Sequence, residues 1–428
     1  MKYIHKIFVL TICSLCSTLY AQKSQLSLSV EEAEKYAIEH NKMMANATLE
    51  IKKAEAARWQ TIASMLPQVD GSAGYTNMCG YEINFGVMSR KMSPYVNIGA
   101  QASIAINGQL IVATLLSNLA VEMQDITRNQ SESELRASVK TTYLAVLIED
   151  EIIQLLDSSL INIQSLAEMT QNTVKAGAAE QTTADQIKVK VNTLINNINT
   201  QKRNRELALN SMRVLLALPM ETDILLTETI DDILSANKIL SLLDENFVID
   251  NNFNYQLLQK NVDLAKKQVI LATMAYTPTI STFYQYNYRQ DLEEGGFSMA
   301  PPHTIGLSLS VPLFSTGKKG AAIEEKKIAY IEAQNTFEET TDNLKIQCQQ
   351  LRYNLSNAYE TYLNEKENIE VTQRVFASTT NKYQWGTVST LELTNASNDL
   401  IAAQSNYVQA VMTLVNAQVE LEKFLNNK

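Results

Sequence analysis

Proline and glycine are scarce in this sequence, with 7 prolines and 13 glycines among 428 residues. These two residues mark most turns and loops, so their scarcity predicts few turns and long elements of secondary structure. No proline occurs between Pro94 and Pro219, and none follows Pro312. The composition therefore excludes an ordinary many-turned globular enzyme and favours extended helices over several compact cores.

Basic residues are also in the minority, because 36 Lys and Arg face 46 Asp and Glu and give a formal net charge of −10. Proteins that bind DNA or RNA neutralise phosphates with clustered Lys and Arg, and this sequence has no such run. We therefore expect no nucleic-acid partner.

Cysteine and histidine are rare beyond residue 21, where only Cys79, Cys348, His40 and His303 remain. They form no Cys-x-x-Cys or paired-His spacing, so the sequence predicts no disulfide framework, no metal site and no cofactor. Catalytic motifs such as Gly-x-Ser-x-Gly, His-Glu-x-x-His and the phosphate-binding loop are missing as well. The chain is not expected to be an enzyme.

The first 21 residues have the pattern of a secretory signal peptide. Lys2 and Lys6 precede an apolar stretch over 7–19, and the small residue Ala21 stands before Gln22, where the mature chain is predicted to begin. Processing and lipidation at Cys16 is a weaker alternative, because Leu15 occupies a position where a small residue is expected. No later stretch approaches the roughly 18 to 20 uninterrupted apolar residues of a membrane-spanning helix.

Two isolated glycines divide long helical segments. Gly177 is the only glycine between Gly108 and Gly295, and Gly386 is the only one after Gly320. Each is predicted to form the tip of a helical hairpin, between helices at 110–176 and 178–218 and between helices at 320–385 and 387–427. A helix of about 60 residues would be about 90 Å long.

The last of these segments carries apolar residues at alternating steps of three and four, which is the pattern of a coiled-coil seam. Positions 209 residues earlier keep this register, with Gln201 and Arg205 interrupting its middle. The two halves are therefore predicted to be internal repeats. The helix before Gly386 has a similar seam, in which Cys348 fills a core position. The seam residues of the last helix are Leu393, Ala396, Leu400, Ala403, Tyr407, Ala410, Leu414, Ala417, Leu421 and Phe424.

Four segments alternate apolar and polar residues and are predicted to be strands, clearly at 96–107 and 304–313 and more weakly at 68–77 and 279–290. Strands of about ten residues with aromatic ends are typical of a transmembrane barrel, although a soluble antiparallel sheet with one wet face gives the same alternation. Four strands cannot close a barrel, since the smallest have about eight. Several chains would then share one wall.

These patterns divide the chain into the signal peptide at 1–21, a first repeat at 22–219, a connector at 220–254 and a second repeat at 255–428. Each repeat is predicted to hold a helix, two strands and a long helical hairpin. The connector has shorter apolar clusters broken by acids and asparagines.

Four stretches resemble the TolC-like outer-membrane factor family: 26–41, 65–75, 307–319 and 386–425. The third is similar to the family's strand-to-helix turn, here Pro312, Leu313 and Phe314 followed by Gly317. The first half has Ala105, Ile106 and Asn107 instead, so its turn is degenerate. The resemblance spans essentially the whole chain after the signal peptide.

The resemblance implies a mainly α protein with a membrane β-barrel portion, in which a long coiled-coil α-helical barrel is joined to four β-strands per chain. A homotrimer would form a 12-stranded barrel in the outer membrane of a Gram-negative bacterium and project into the periplasm. It implies a passive exit duct of a tripartite efflux or type I secretion system, without catalysis or cofactor. The implied partners are outer-membrane lipid, a periplasmic adaptor (membrane fusion) protein and an inner-membrane transporter of the RND, ABC or MFS type.

By the same resemblance the duct is gated at its periplasmic helix tips. Tyr383 matches the tyrosine before the tip glycine, Glu392 and Asn395 match the two acidic positions of the constriction, and Asp185 is the nearest counterpart in the first repeat. Asn395 is neutral, so a double acidic ring is not kept. Three copies of Glu392 around one axis would attract cations, whereas a solvated glutamate near a helix N-terminus is equally compatible with the sequence.

The hairpin tips themselves, Gly177, Trp385 and Gly386, are the candidate adaptor contacts. Trp385 is interpreted either as an interaction anchor or as the plug of the hairpin. The competing function from another class is a secreted coiled-coil structural or adhesive protein. Such a fibre would have no use for two pairs of alternating strands at equivalent points of two repeats.

Overall fold

The computed structural model describes residues 25–84, 86, 89–177, 179–292 and 301–426. The predicted signal peptide at 1–21 and the alternative processing site at Cys16 lie outside these residues.

The described part of the chain is mainly helical. Its α-helices are α1 (Val30–His40), α2 (Lys42–Ala63), α3 (Gly108–Lys175), α4 (Gln181–Leu215), α5 (Ile230–Ile233), α6 (Ala236–Asp244), α7 (Phe253–Thr273), α8 (Lys318–Gln384) and α9 (Thr390–Leu425). Its strands are β1 (Gln25–Leu28), β2 (Gln68–Thr76), β3 (Glu82–Asn84), β4 (Ser89–Lys91), β5 (Tyr95–Ile106), β6 (Asp223–Leu226), β7 (Thr279–Asp291) and β8 (His303–Ser310). Two short 3₁₀ helices, Ile249–Asn251 and Met274–Tyr276, precede α7 and β7.

The long helices confirm the four helical segments predicted from the sequence. Helices α3 and α8 have 68 and 67 residues, and α4 and α9 have 35 and 36. Their bounds differ from the predicted ones by a few residues, and at the tips the turn residues around each glycine take part of the predicted helix.

The four predicted strands form one antiparallel sheet with the order β2-β5-β7-β8. Tyr284 lies opposite Ile305 and Tyr288 lies opposite Ile98, so one face collects the apolar side chains. The neighbouring positions Ser103, Gln285 and Thr304 share the other face, which is mainly polar and also carries Phe283. Strand β8 ends at Ser310, three residues before the predicted end at 313, because the residues after Ser310 have no partner in β7.

Two further pairs of strands were not predicted. Strand β1 pairs in parallel with β6, and β3 pairs antiparallel with β4. The members of the first pair have 4 residues each and those of the second have 3. Strands this short contain too few residues to show a period in the sequence.

The described residues divide into two compact units. Unit 1 takes them from Met1–Asn46, Asn129–Asn252 and Asn343–Lys428, and unit 2 from Ala47–Arg128 and Phe253–Asp342. Each unit combines segments from both halves of the chain. Unit 2 contains the four-stranded sheet, and unit 1 contains the ends of the long helical hairpins together with β1 and β6.

The core of unit 1 follows the predicted seams. Nine of the ten seam residues predicted for α9 are buried, and Ala417 is half-buried. Cys348 is buried on α8, which confirms its interpretation as a core residue. Regular 3-4 spacing places these side chains on one face of the helix, where neighbouring helices exclude water. Within the described residues, no helix is long and apolar enough to cross a membrane.

Candidate functional site

The two hairpin tips of unit 1 hold the residues that the sequence singled out. Gly177 lies between α3 and α4 with φ of +76°, and Gly386 lies between α8 and α9 with φ of +67°. Nothing lies within 4 Å of a Cβ built on either glycine, so the left-handed backbone rather than lack of space requires glycine. The backbone N–H of Gly386 donates to the carbonyl of Tyr383 over 2.9 Å and closes the turn.

Helix α9 begins with a side-chain cap. Ser389 stands before the first turn, and its Oγ accepts the backbone N–H of Glu392 over 3.2 Å. Glu392 and Asn395 are exposed and three residues apart, so they lie on the same side of α9. The carboxylate of Glu392 also lies in the first helical turn, where the helix dipole favours a negative charge.

Asp185 is the fifth residue of α4 and lies just beyond its first turn, whereas Glu392 is the third residue of α9. Its side chain is exposed and accepts a hydrogen bond from Nε2 of Gln181 over 3.0 Å. The structure thus places Asp185 near one tip and Glu392 near the other, each on an exposed part of its helix.

Tyr383 connects the two hairpins. Its hydroxyl lies 3.3 Å from Oγ1 of Thr170 on α3, and Thr170 is fully buried. A buried hydroxyl that loses its partner carries a desolvation cost of about 1 to 3 kcal/mol, so this contact stabilises the packing of α8 against α3.

Lys190 makes a second connection, between α4 and α9. Its Nζ donates to the backbone carbonyl of Thr394 over 3.1 Å and to Oδ1 of Asn398 over 2.9 Å. Lys190 is half-buried, and this burial lowers the pKa of its ammonium group. Lys190 could not be selected from the sequence, because its partners lie 204 and 208 residues away and no local motif marks it.

Trp385 is 84 % exposed, so its side chain does not fill the hairpin as a plug. Leu391 follows at the start of α9 and is 69 % exposed. Two large apolar side chains are thus exposed within six residues of each other along the chain, on either side of Gly386.

A cavity of about 500 Å³ lies behind the tips, lined by residues of α3, α8 and α9. Its lining contains serine, threonine, asparagine, glutamine and apolar side chains, and none of the lining residues is charged. One lining residue, the buried Gln404, donates through Nε2 to Oγ of Ser159 over 3.1 Å, while its Oε1 has no partner among the described residues.

A second cavity in unit 1, of about 780 Å³, is lined by charged residues from α1, α3, α6 and α9. Glu34 pairs with Arg136 over 3.4 Å, Arg136 also pairs with Glu132 over 2.9 Å, and Lys140 pairs with Glu422 over 2.5 Å. Burial raises the pKa of Glu34, against the lowering effect of Lys140 and Arg136. No group of three or more His, Cys, Asp or Glu suited to a metal ion occurs in the part of the chain that the structure describes.

Comparison with known families identifies the class. The model of the outer membrane efflux protein family matches residues 35–218 and 248–427. The chain therefore belongs to this family, and it acts as an outer-membrane exit duct of an efflux system. The family is one of conduits. The alternative of a secreted coiled-coil structural or adhesive protein is not supported.

A curated relative and several solved structures agree with this assignment. The "Toxin and drug export protein A" of Aggregatibacter actinomycetemcomitans is 23 % identical over 410 residues, which is 92 % of this chain and 84 % of the relative. The outer membrane protein VceC of Vibrio cholerae has a TM-score of 0.75 at 14 % identity, over 93 % of this chain and 96 % of its own. The open-state outer membrane channel MtrE of Neisseria gonorrhoeae has a TM-score of 0.74 at 15 % identity, over 93 % and 89 %. These structures share the fold, which confirms the predicted mainly α class with a β portion.

Proposed function

We propose that three copies of this chain form one duct, with a 12-stranded barrel in the outer membrane and helices that project into the periplasm. The main support for this proposal is the four-stranded sheet, whose edge strands β2 and β8 have no further partner strand among the described residues. Unpaired edges expose backbone N–H and C=O groups that need partners, and four strands are too few to close a barrel.

The strand directions permit this closure. Each neighbouring pair in the order β2-β5-β7-β8 is antiparallel, so β8 of one copy would run antiparallel to β2 of the next. The apolar face, with Ile305, Leu307 and Leu309 all exposed, would meet lipid, and the polar face with Thr304 and Ser308 would line the lumen. This alternation is the one found in outer-membrane barrels.

The gate is proposed to lie at the two hairpin tips. The contacts of Tyr383 with Thr170 and of Lys190 with Thr394 are proposed to hold the two hairpins together when the gate is closed. Opening would separate them. Three copies of Glu392 would ring the narrowest passage and attract cations, with the neutral Asn395 one turn further on and Asp185 on the neighbouring tip.

The proposed partners are a periplasmic adaptor and an inner-membrane transporter of the RND, ABC or MFS type. The exposed side chains of Trp385 and Leu391, on either side of Gly386 in the sequence, would supply an apolar anchor for the adaptor, and Gly177 marks the tip of the other hairpin. The uncharged cavity behind the tips is suited to a helix with small and neutral polar side chains. The name of the curated relative supports drugs or a toxin as cargo, which the transporter would select.

The test is the size of the protein in the outer-membrane fraction. We expect light scattering on the detergent-extracted protein to give about three times the mass of the mature chain, which is 47.9 kDa before the signal peptide is removed. An unheated gel should show an oligomer band that boiling converts to the single chain. The boiled sample is the control. A monomer or a fibre in the soluble fraction would contradict the proposal.

A further inference from the structure

The two strand-to-helix junctions of unit 2 differ in length. Strand β5 ends at Ile106 and α3 begins at Gly108, whereas β8 ends at Ser310 and α8 begins only at Lys318. We call residues 311–319, which include the first two residues of α8, the junction segment. The first half of the chain has no segment of this length between β5 and α3.

Large apolar side chains of this segment are almost completely exposed. Leu313 is 91 % exposed and Phe314 is 86 % exposed. Val311 and Leu313 continue the two-residue spacing of Leu307 and Leu309 in the sequence beyond the end of β8. The junction segment therefore follows directly along the chain on the strand whose apolar face is proposed to meet lipid.

A tight turn holds two lysines next to these apolar side chains. Thr316 and Gly317 both have a left-handed backbone, with φ of +50° and +80°. The N–H of Lys318 donates to the carbonyl of Ser315 over 2.9 Å, and α8 starts immediately. A non-glycine residue with positive φ is uncommon, so the turn is kept at some cost in backbone strain.

Lys318 and Lys319 occupy the first turn of α8, which contains no acidic residue. Cations are unfavourable at this end of a helix because the dipole is positive there. Lys318 has no carboxylate partner within the described residues, and Nζ of Lys319 donates to the carbonyl of Ala275 over 2.7 Å and lies 5.2 Å from the ring centre of Tyr276. Tyr276 itself is exposed.

The next lysines along α8 behave differently. Lys326 pairs with Glu325 over 2.9 Å, and Lys327 approaches Glu324 at 3.6 Å. Lys318 and Lys319 thus lack a carboxylate partner among the described residues, whereas Lys326 and Lys327 are neutralised within the helix.

We propose that the junction segment binds a phospholipid surface that carries anionic headgroups. Leu313 and Phe314 enter the acyl region, Lys318 and Lys319 pair with headgroup phosphates, and Tyr276 lies at the boundary between them. Apolar burial combined with nearby cations is the combination that binds anionic membranes, and tyrosine is enriched at membrane interfaces. This inference rests on the proposed function, since it takes the four-stranded sheet as part of the membrane wall.

The first experiment measures the depth of residue 314. Phe314→Trp is placed in a chain that carries Trp59→Phe and Trp385→Phe, reconstituted in phosphatidylcholine vesicles with 30 % phosphatidylglycerol, and quenched by lipids brominated on the acyl chains. We expect strong quenching. The control chain with Trp59→Phe alone reports Trp385 at the helix tip, which brominated lipid should not quench. If aqueous iodide quenches the fluorescence of the tryptophan at position 314, the ring faces water and the proposal is overturned. If neither agent quenches it, the ring is covered by protein, as by a second copy of the chain, and the proposal is likewise overturned.

The second experiment tests the charge. Lys318→Gln with Lys319→Gln is compared with the matched control Lys326→Gln with Lys327→Gln, and bound phosphatidylglycerol is counted against phosphatidylcholine by native mass spectrometry. We expect the preference for phosphatidylglycerol to fall about fivefold for each lysine removed at the junction and to be unchanged in the control. Equal preference in both double variants would overturn the proposal.

Failure of the lipid-site proposal can be distinguished from failure of the proposed duct. A chain that inserts as a heat-modifiable oligomer but shows no quenching of residue 314 contradicts only the lipid site. A chain that does not insert into vesicles at all contradicts both the lipid site and the proposed duct.

Discussion

The assignment of faces to the four-stranded sheet can be tested with single arginines along β8. Ile305, Leu307 and Leu309 lie on the apolar face opposite Tyr284, Thr282 and Ile280 of β7. The control substitutions Thr304→Arg and Ser308→Arg lie on the other face of the same strand. Each control arginine carries the same charge as the arginine on the neighbouring residue of the apolar face. The two lie within one residue of each other along β8, so they differ mainly in the face of the sheet that they occupy.

The expected loss of stability for each arginine follows from the depth of its position in the membrane. Strand β7 has 13 residues, centred on Gln285, which pairs with Thr304. At about 3.4 Å per residue and a tilt of about 40°, β7 spans about 30 Å along the membrane normal, and Leu309 lies about 10 Å from Ile305. An arginine on the lipid face costs about 2 to 4 kcal/mol at the midplane and about 0 to 1 kcal/mol near the interface. Ile305→Arg should therefore destabilise each chain by about 2 to 4 kcal/mol, Leu309→Arg by about 1 kcal/mol, and Leu307→Arg by a value between them.

The assay is a urea titration of the reconstituted protein, in which the heat-modifiable oligomer is quantified on unheated gels. The control arginines at Thr304 and Ser308 should change the midpoint much less, because that face would meet water. Equal costs for Leu307→Arg and Ser308→Arg would refute the face assignment. A cost that rises from Ile305 to Leu309 would refute the placement of the midplane.

Further outcomes are expected at three residues, Lys190, Glu392 and Glu34. Lys190→Gln should weaken the contact with Thr394 and raise the conductance in planar bilayers, whereas Lys190→Arg should not. Burial lowers the pKa of Lys190, so the wild-type conductance should rise at a lower alkaline pH than an exposed lysine would require. Lys190→Gln should lack that rise. Identical pH profiles of the conductance for wild type and Lys190→Gln would contradict the proposed contact. Glu392→Gln should lower the preference for cations, and unchanged reversal potentials would remove this residue from the constriction. Burial raises the pKa of Glu34, so the folded protein holds this proton at a higher pH than the unfolded chain and gains stability as the pH falls through the folded pKa. The stability of wild type relative to Glu34→Gln should therefore increase as the pH falls toward the ordinary glutamate pKa of 4.5, and a constant difference would contradict this expectation.

The helical part of the fold was predictable because its signal is local and repeated. The seam of α9 from Leu393 to Phe424 recurs every three or four residues, and Gly177 and Gly386 interrupt helices that contain no other glycine between 109 and 294 or after 320. The strands at 96–107 and 304–313 were recognisable for the same reason, since alternation over about ten residues is seldom accidental.

The contacts at the tips were not predictable. Lys190 and Thr394 are 204 residues apart, and Thr170 and Tyr383 are 213 residues apart. Lys190 stands in a stretch of alternating lysine and valine that gives no reason to select one lysine over another. The pairing of β1 with β6 was missed on the same ground, because Gln25 and Asp223 meet only after the intervening helices have packed.

The sequence by itself determined the lengths of the helices, the positions of the hairpin tips, the two faces of the strands and the family, because each depends on residues close together along the chain or on their spacing. The tertiary structure decided which charges are neutralised and which are left open. Lys326 and Lys327 find glutamates within their own helix, Lys190 is held by a backbone carbonyl of another helix, and Lys318 faces solvent beside exposed apolar side chains. The physical reason is that burial and pairing depend on neighbours that only folding brings together, so identical lysines acquire different roles.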